Sequence, residues 1–112
     1  DLMNKVQKAL RVEGPSFLNI FAPCPRGWRS EAEISIQLSR IAVETNYWPL
    51  FEIVNGTWKI NLKPRQKPIE EYLKPQKRFS HLFKPENKWM LEDIQHTVDK
   101  RWEKLLKKID NQ

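Results

Sequence analysis

The sequence predicts an α/β fold: the last βα portion of a parallel sheet, followed by a β-hairpin and a helical tail. Three observations predict it. Residues 16–22 (SFLNIFA) form a short, nearly continuous apolar run, the pattern of a strand covered on both faces. Asn55-Gly56 lies between two β-rich runs, the strongest short signal for a hairpin. Leu91, Ile94, Val98, Trp102, Leu105 and Ile109 recur at helical spacing near the end of the chain.

The chain's 112 residues suffice for one small domain with a modest core. At 39% apolar and 30% charged it reads as globular rather than disordered, and five tryptophans and five phenylalanines supply material for burial. No apolar run approaches the ~20 residues of a membrane span, and no signal peptide heads the chain. It opens Asp1-Leu2-Met3, which reads as a fragment or a processed subunit. A net charge of +6, from 20 Lys and Arg against 14 Asp and Glu, suits an acidic protein, a nucleic acid or an anionic cofactor without choosing among them. The single cysteine excludes an internal disulfide and points to a reducing, intracellular setting.

Leu2, Val6, Ala9 and Leu10, with polar residues between them, predict an amphipathic helix over 2–12, stopped by Gly14-Pro15. The strand over 16–22 ends at Pro23. The loop from Cys24 to Arg29 then falls at the carboxyl edge of that strand, where open α/β sheets bind ligands. Ser30-Glu31-Ala32-Glu33 predicts a capping box, and with the apolar run 41–43 it favours a helix over about 30–45. Ile36 and Val43 sit opposite its main stripe, so both sides of that helix are expected to be covered. A two-residue turn at Asn55-Gly56 pairs Val54 with Thr57, Ile53 with Trp58, Glu52 with Lys59 and Phe51 with Ile60. One face of the hairpin is then apolar, with Trp58 facing inward, and the other carries opposite charges across the pair. Residues 63–88 hold four of the eight prolines and eight Lys or Arg against three Glu. They predict an extended basic arm with short helical turns near 69–73 and 79–83, lying over another surface because it can bury little by itself. Pro85 suits the first turn of the final helix, whose acidic residues come early and whose lysines come late, complementing the helix dipole.

Cys24 is the foremost candidate for chemistry, and three readings of it stand. It is a small buried hydrophobe, a common fate of free cysteine. It is a nucleophile, which needs a base within reach, and His81 and His96 are far away in sequence. Or it is a metal or cluster ligand: Cys-Pro echoes the end of bacterial iron–sulfur runs, and Arg26 and Arg29 would favour the thiolate. One thiolate cannot hold a cluster, so the third reading needs cysteines from outside the chain. His81 and His96, even with Glu92 one turn from His96, are too sparse for a metal site. Gly14, Gly27 and Gly56 are isolated, so no phosphate-binding loop is present. The basic arm lacks a helix-turn-helix, zinc-finger spacing or an aromatic sheet motif, and no nucleic-acid partner is expected.

Three separated stretches in order, "GPSFLNIFAPCPRGW" (14–28), "AVETNYWPLFE" (42–52) and "KPIEEYLKPQKRFSHLFKPE" (67–86), resemble the C-terminal part of the beta subunit of pyruvate:ferredoxin oxidoreductase. The wider family is the 2-oxoacid:ferredoxin oxidoreductases. The resemblance implies an enzyme that decarboxylates a 2-oxoacid on thiamine diphosphate with Mg2+, passes the acyl group to coenzyme A, and sends electrons through 4Fe-4S clusters to ferredoxin. It implies that Cys24 is the fourth ligand of the cluster nearest the thiamine, the other three cysteines lying in earlier parts of the subunit. Those cysteines are missing here, as are the Gly-Asp-Gly segment and following Asn that bind diphosphate and magnesium. The chain by itself is therefore expected neither to bind thiamine diphosphate nor to be active. The implied divisions are the last α-β-α part of a thiamine diphosphate-binding-type parallel-sheet domain (1–48), the hairpin (49–62), the basic arm (63–88) and the terminal amphipathic helix (89–112). The implied partners are the remainder of the beta subunit, the other subunits and ferredoxin, in the cytoplasm and without a membrane. The alternative is a non-catalytic interaction module whose basic arm clasps a partner.

Overall fold

A computed structural model describes all residues, 1–112. The elements run α1 (Leu2–Leu10), a single turn α2 (Pro25–Trp28), a 3₁₀ turn (Ala32–Ile34) leading into α3 (Ser35–Glu44), strands β1 (Phe51–Val54) and β2 (Thr57–Ile60), and α4 (Glu70–Leu73). Two further 3₁₀ segments (Lys77–Phe83 and Pro85–Asn87) precede the long α5 (Lys88–Asp110). No helix is long and apolar enough to cross a membrane.

The architecture is mixed helix and strand, and its only sheet is the antiparallel β1–β2 hairpin. The predicted strand over 16–22 does not form, and neither does a parallel sheet around it. The physical reason is lateral: a strand exists only when a neighbour takes its backbone donors and acceptors, and these 112 residues offer that segment none. The run is left open, with Phe17 87% and Ile20 59% exposed. The stripe of α1 is only partly covered: Val6 and Ala9 are half-buried, Leu2 and Leu10 exposed, and no residue of that helix is fully buried.

The core forms where α3, the segment 69–82 and α5 meet. Leu38 and Ala42 come from α3, Ile69, Tyr72, Leu73 and Leu82 from the middle segment, and Leu91 and Val98 from α5. This corrects the expectation for residues 63–88. That segment is not an arm that buries little; its short helical turns supply central core residues, with Gln76 among the most deeply buried side chains of the molecule. Prolines break it into pieces too short to show a periodicity, which hid its apolar side. The final helix follows its predicted stripe: Leu91, Val98, Trp102 and Leu105 are buried, and Pro85 opens the 3₁₀ turn leading into it.

Two details of the α3 region differ from expectation. The capping box does not form. The helix begins as a 3₁₀ turn capped by Glu31 without a side-chain bond, and the Ser30 hydroxyl is buried without a partner. Ile36 is 73% exposed, so one side of α3 faces outward. At its other end Asn46 takes a left-handed conformation (φ 59°), a post asparagine tolerates. The turn brings the Trp48 N–H back to the Ala42 carbonyl at 2.9 Å.

The hairpin has the predicted register, Phe51 with Ile60 through Val54 with Thr57. Asn55 (φ 50°) and Gly56 (φ 79°) both have positive φ, as a type I′ turn requires. Its apolar face is only half covered. Phe51 stacks on Trp58 at 5.7 Å between centroids, Lys108 Nζ lies 4.5 Å from the Trp58 ring centroid, and Ile53 remains 48% exposed. The Gln112 side chain pairs with the Trp58 backbone as a strand would, accepting from its N–H (2.6 Å) and donating to its carbonyl (2.7 Å). Glu52 lies opposite Lys59, but its carboxylate takes Lys8 of α1 at 2.5 Å. That bond holds the Glu52 carboxyl below the usual carboxylate range.

Candidate functional site

Proline on each side fixes the shape of the Cys24 turn. A residue before proline is pushed to extended backbone, and Cys24 sits at φ −122°, ψ 90°. Pro25 then starts α2 at the first helical position, where its missing N–H costs nothing. The Trp28 N–H closes the turn on the Cys24 carbonyl at 2.9 Å, and the Ser30 N–H bonds the Pro25 carbonyl at 3.1 Å. Arg29, at φ 52° and ψ 48°, ends the turn in the left-handed region. The Cys24 thiol is exposed.

The turn is anchored through Trp28. Its indole lies 5.7 Å from Phe21 and edge-on to Tyr72 at 6.2 Å. The Arg78 guanidinium stands 4.5 Å over the Trp28 ring and equally close to Phe79, a cation held between two π faces. Arg78 is itself aimed by Gln76, whose Oε1 accepts from its Nε at 2.9 Å while the Gln76 Nε2 donates to the Tyr72 carbonyl at 2.7 Å. A backbone bond from Lys77 N–H to the Arg29 carbonyl (3.2 Å) fixes the far end of the turn. The segment 72–79 thus grips the turn from beneath and leaves the thiol outside. Tyr72 stacks on Tyr47 at 4.5 Å, and its buried hydroxyl has no hydrogen-bond partner. Burial above all, with Tyr47 adding to it, pushes its ionisation up to about 12.

Of the three readings of Cys24, the buried hydrophobe is the one its exposure does not fit. Both histidines are exposed. No group of three His, Cys, Asp or Glu side chains comes together to hold a metal, so Cys24 is one donor and not a complete site. Arg26 and Arg29 are exposed on the same turn. Sequence reasoning missed Gln76 and Arg78. Nothing in a short, proline-broken basic stretch marks a glutamine as deeply buried; Phe79 next to Arg78 was the one visible signal for the cation held on aromatic rings. A separate open polar cleft of about 380 Å³ lies between α1 and the hairpin, lined by Lys5, Lys8, Glu52 and Lys59 among others.

No protein-family profile matches the chain. Among curated relatives, it is 48% identical over 108 residues to the pyruvate synthase subunit PorB of Thermotoga maritima, covering 95% of this chain and 33% of that protein. It is 46% identical over 110 residues to the ketoisovalerate oxidoreductase subunit VorB of Pyrococcus furiosus, covering 96% of this chain and 34% of the relative. The pyruvate synthase subunit PorB of Methanocaldococcus jannaschii is 45% identical over 102 residues, 90% of this chain and 33% of the relative. The chain therefore spans about a third of the length of the relatives it matches.

Proposed function

We infer that this chain, which belongs to the beta-subunit family of the 2-oxoacid:ferredoxin oxidoreductases, is the C-terminal segment of such a subunit and supplies one cluster ligand and subunit contacts. The observation that carries this reading is identity of 48% to a pyruvate synthase subunit over 95% of the chain. The reaction of the whole enzyme is the oxidative decarboxylation of a 2-oxoacid to its coenzyme A thioester and CO2, with ferredoxin as acceptor. Thiamine diphosphate and Mg2+ belong to the remainder of the subunit, and the assembly works in the cytoplasm, where a thiol stays reduced.

Cys24 is the residue of this chain that holds the 4Fe-4S cluster, with three cysteines from outside it. The donor chemistry fits: an outward thiol on a stiff turn offers the soft sulfur that iron–sulfur clusters select. The cluster, when bound, supplies one-electron transfer. This chain's part is to hold Cys24 still: Pro23 and Pro25 restrict its backbone, Trp28 docks its turn, and Arg78 with Gln76 clamps Trp28. Relatives acting on pyruvate and on ketoisovalerate are about equally similar, at 48% and 46%, so pyruvate is proposed as substrate with the branched 2-oxoacid as the competing one.

The test uses the complete subunit assembled with its partner subunits. Coenzyme A-dependent ferredoxin reduction is expected with pyruvate or with 2-oxoisovalerate. Cys24→Ser should leave assembly intact, change the electron paramagnetic resonance of one cluster and cut ferredoxin reduction steeply, because an alkoxide is a harder and more basic ligand than a thiolate. No 2-oxoacid-dependent reduction by the native assembly would defeat the functional reading, and unchanged cluster signals in the variant would defeat the ligand assignment.

A further inference from the structure

We propose that Asn55 is a self-modifying site at the hairpin tip, converting through a cyclic imide with Gly56 to aspartate and isoaspartate. Of the chain's seven asparagines, Asn55 alone precedes a glycine; Asn4, Asn19, Asn46, Asn61, Asn87 and Asn111 each precede a residue with a side chain. Asparagine is among the thermolabile residues. The reaction that consumes it is attack by the next residue's backbone nitrogen, and glycine leaves that nitrogen unhindered. The fold leaves it free as well. Asn55 and Gly56 are both exposed and lie beyond the last ladder pair, Val54 with Thr57. The Gly56 N–H donates to no backbone carbonyl among the loop and turn bonds. A Cβ built on Gly56 would meet nothing within 4 Å, so no neighbour covers the tip there.

In the first step the Gly56 nitrogen bonds to Asn55 Cγ, the Cγ–Nδ2 bond breaks, and ammonia leaves with the Gly56 amide proton. Water then opens the imide. Cleavage at Cγ gives aspartate, and cleavage at the main-chain carbonyl gives isoaspartate, whose backbone runs through the side chain. The two products differ in consequence. Asp-Gly fits a type I′ turn as Asn-Gly does, so the aspartate keeps the hairpin. Isoaspartate lengthens the backbone by one carbon, which a two-residue turn cannot absorb in register. The hairpin holds Lys8 of α1 through Glu52 and Gln112 beyond α5 through the Trp58 backbone, so its opening loosens both ends of the chain.

The test incubates the complete subunit, assembled with its partners, in heavy-oxygen water and follows the Asn55 peptide by mass spectrometry. The expected result is conversion of the Asn55 amide to an acid carrying one heavy oxygen, several-fold faster in alkaline than in neutral buffer. Fragmentation should resolve a mixture of aspartate and isoaspartate, and the other asparagines should stay unchanged over the same time. Asn55→Asp should resist trypsin at Lys59 as the native protein does, and the aged isoaspartyl form should be cut there. If Asn55 persists in the folded assembly and converts only in urea, the native turn protects it and the proposal falls. Conversion to aspartate alone would show direct hydrolysis without an imide and overturn it. Equal resistance at Lys59 in the isoaspartyl form would overturn the opening of the hairpin.

Discussion

Arg29 bears the backbone strain that ends the Cys24 turn. A side chain in the left-handed region crowds the following carbonyl at a cost of about 1–2 kcal/mol, which glycine avoids. Arg29→Gly should therefore stabilise the chain slightly, by about 0.5–1 kcal/mol after the greater freedom of glycine in the unfolded chain is set against the relief. Arg29→Val should destabilise it, because a branched side chain tolerates that region worst. Urea denaturation of the two variants reads both signs. Tyr72 makes a second residue-scale prediction. Its hydroxyl is buried and unpartnered, and burial raises its ionisation from 10.0 to about 12. In that interval the unfolded chain has released the phenolic proton and the folded chain has kept it, so its contribution is intact below pH 10 and is lost as pH rises toward 12. Tyr72→Phe should cost nothing at neutral pH and should flatten the fall in stability above pH 10, seen as a shallower slope of melting temperature against pH. At this scale the stiff turn at Cys24 was legible in the sequence, through its two prolines. Gln76 and Arg78 were not, because their roles come from contacts between segments that no local pattern encodes.

The hairpin shows what pattern reading can and cannot reach at the scale of an element. Asn55-Gly56 and the alternation on each side specify turn and register together, since a one-residue slip would exchange the faces. They do not say how much lies against the apolar face, which depends on the end of α5. Trp58 is half covered by Phe51 and Lys108. Trp58→Ala should accordingly cost about 1–3 kcal/mol, below the range of about 3–5 kcal/mol for deletion of a fully buried large aromatic. Gly56→Ala should cost about 1–2 kcal/mol by forcing a Cβ into positive φ. Denaturation midpoints of the two variants check these values. The helices α1 and α5 were legible for the same reason as the hairpin: each has one period throughout. In residues 63–88 the short helical turns were legible, but their burial was not, because α4 and the two 3₁₀ segments are each shorter than the window in which an apolar period can be recognised.

At the scale of the whole molecule, the uncovered surface is concentrated at the start of the chain. None of residues 1–20 is buried, and Leu10, Phe17 and Ile20 are among its most exposed large apolar side chains. The apolar run 16–22 was read as a strand from its pattern alone, and it forms none here because no other segment of the chain pairs with it. Phe17→Glu should therefore reduce self-association of the isolated chain without lowering its melting temperature, since Phe17 touches little here. In the complete subunit the same change should destabilise by about 2–4 kcal/mol, as burying a charge against apolar partners would. Light scattering and thermal melting of the two forms separate these cases. The central claim, that Cys24 is a bonded thiolate of the assembled enzyme, is tested most directly by differential alkylation under anaerobic conditions with mass spectrometry of the Cys24 peptide. The account predicts that Cys24 is protected from iodoacetamide in the intact enzyme and labelled once a chelator has stripped the cluster from the still-assembled subunits. Equal labelling before and after stripping would contradict it.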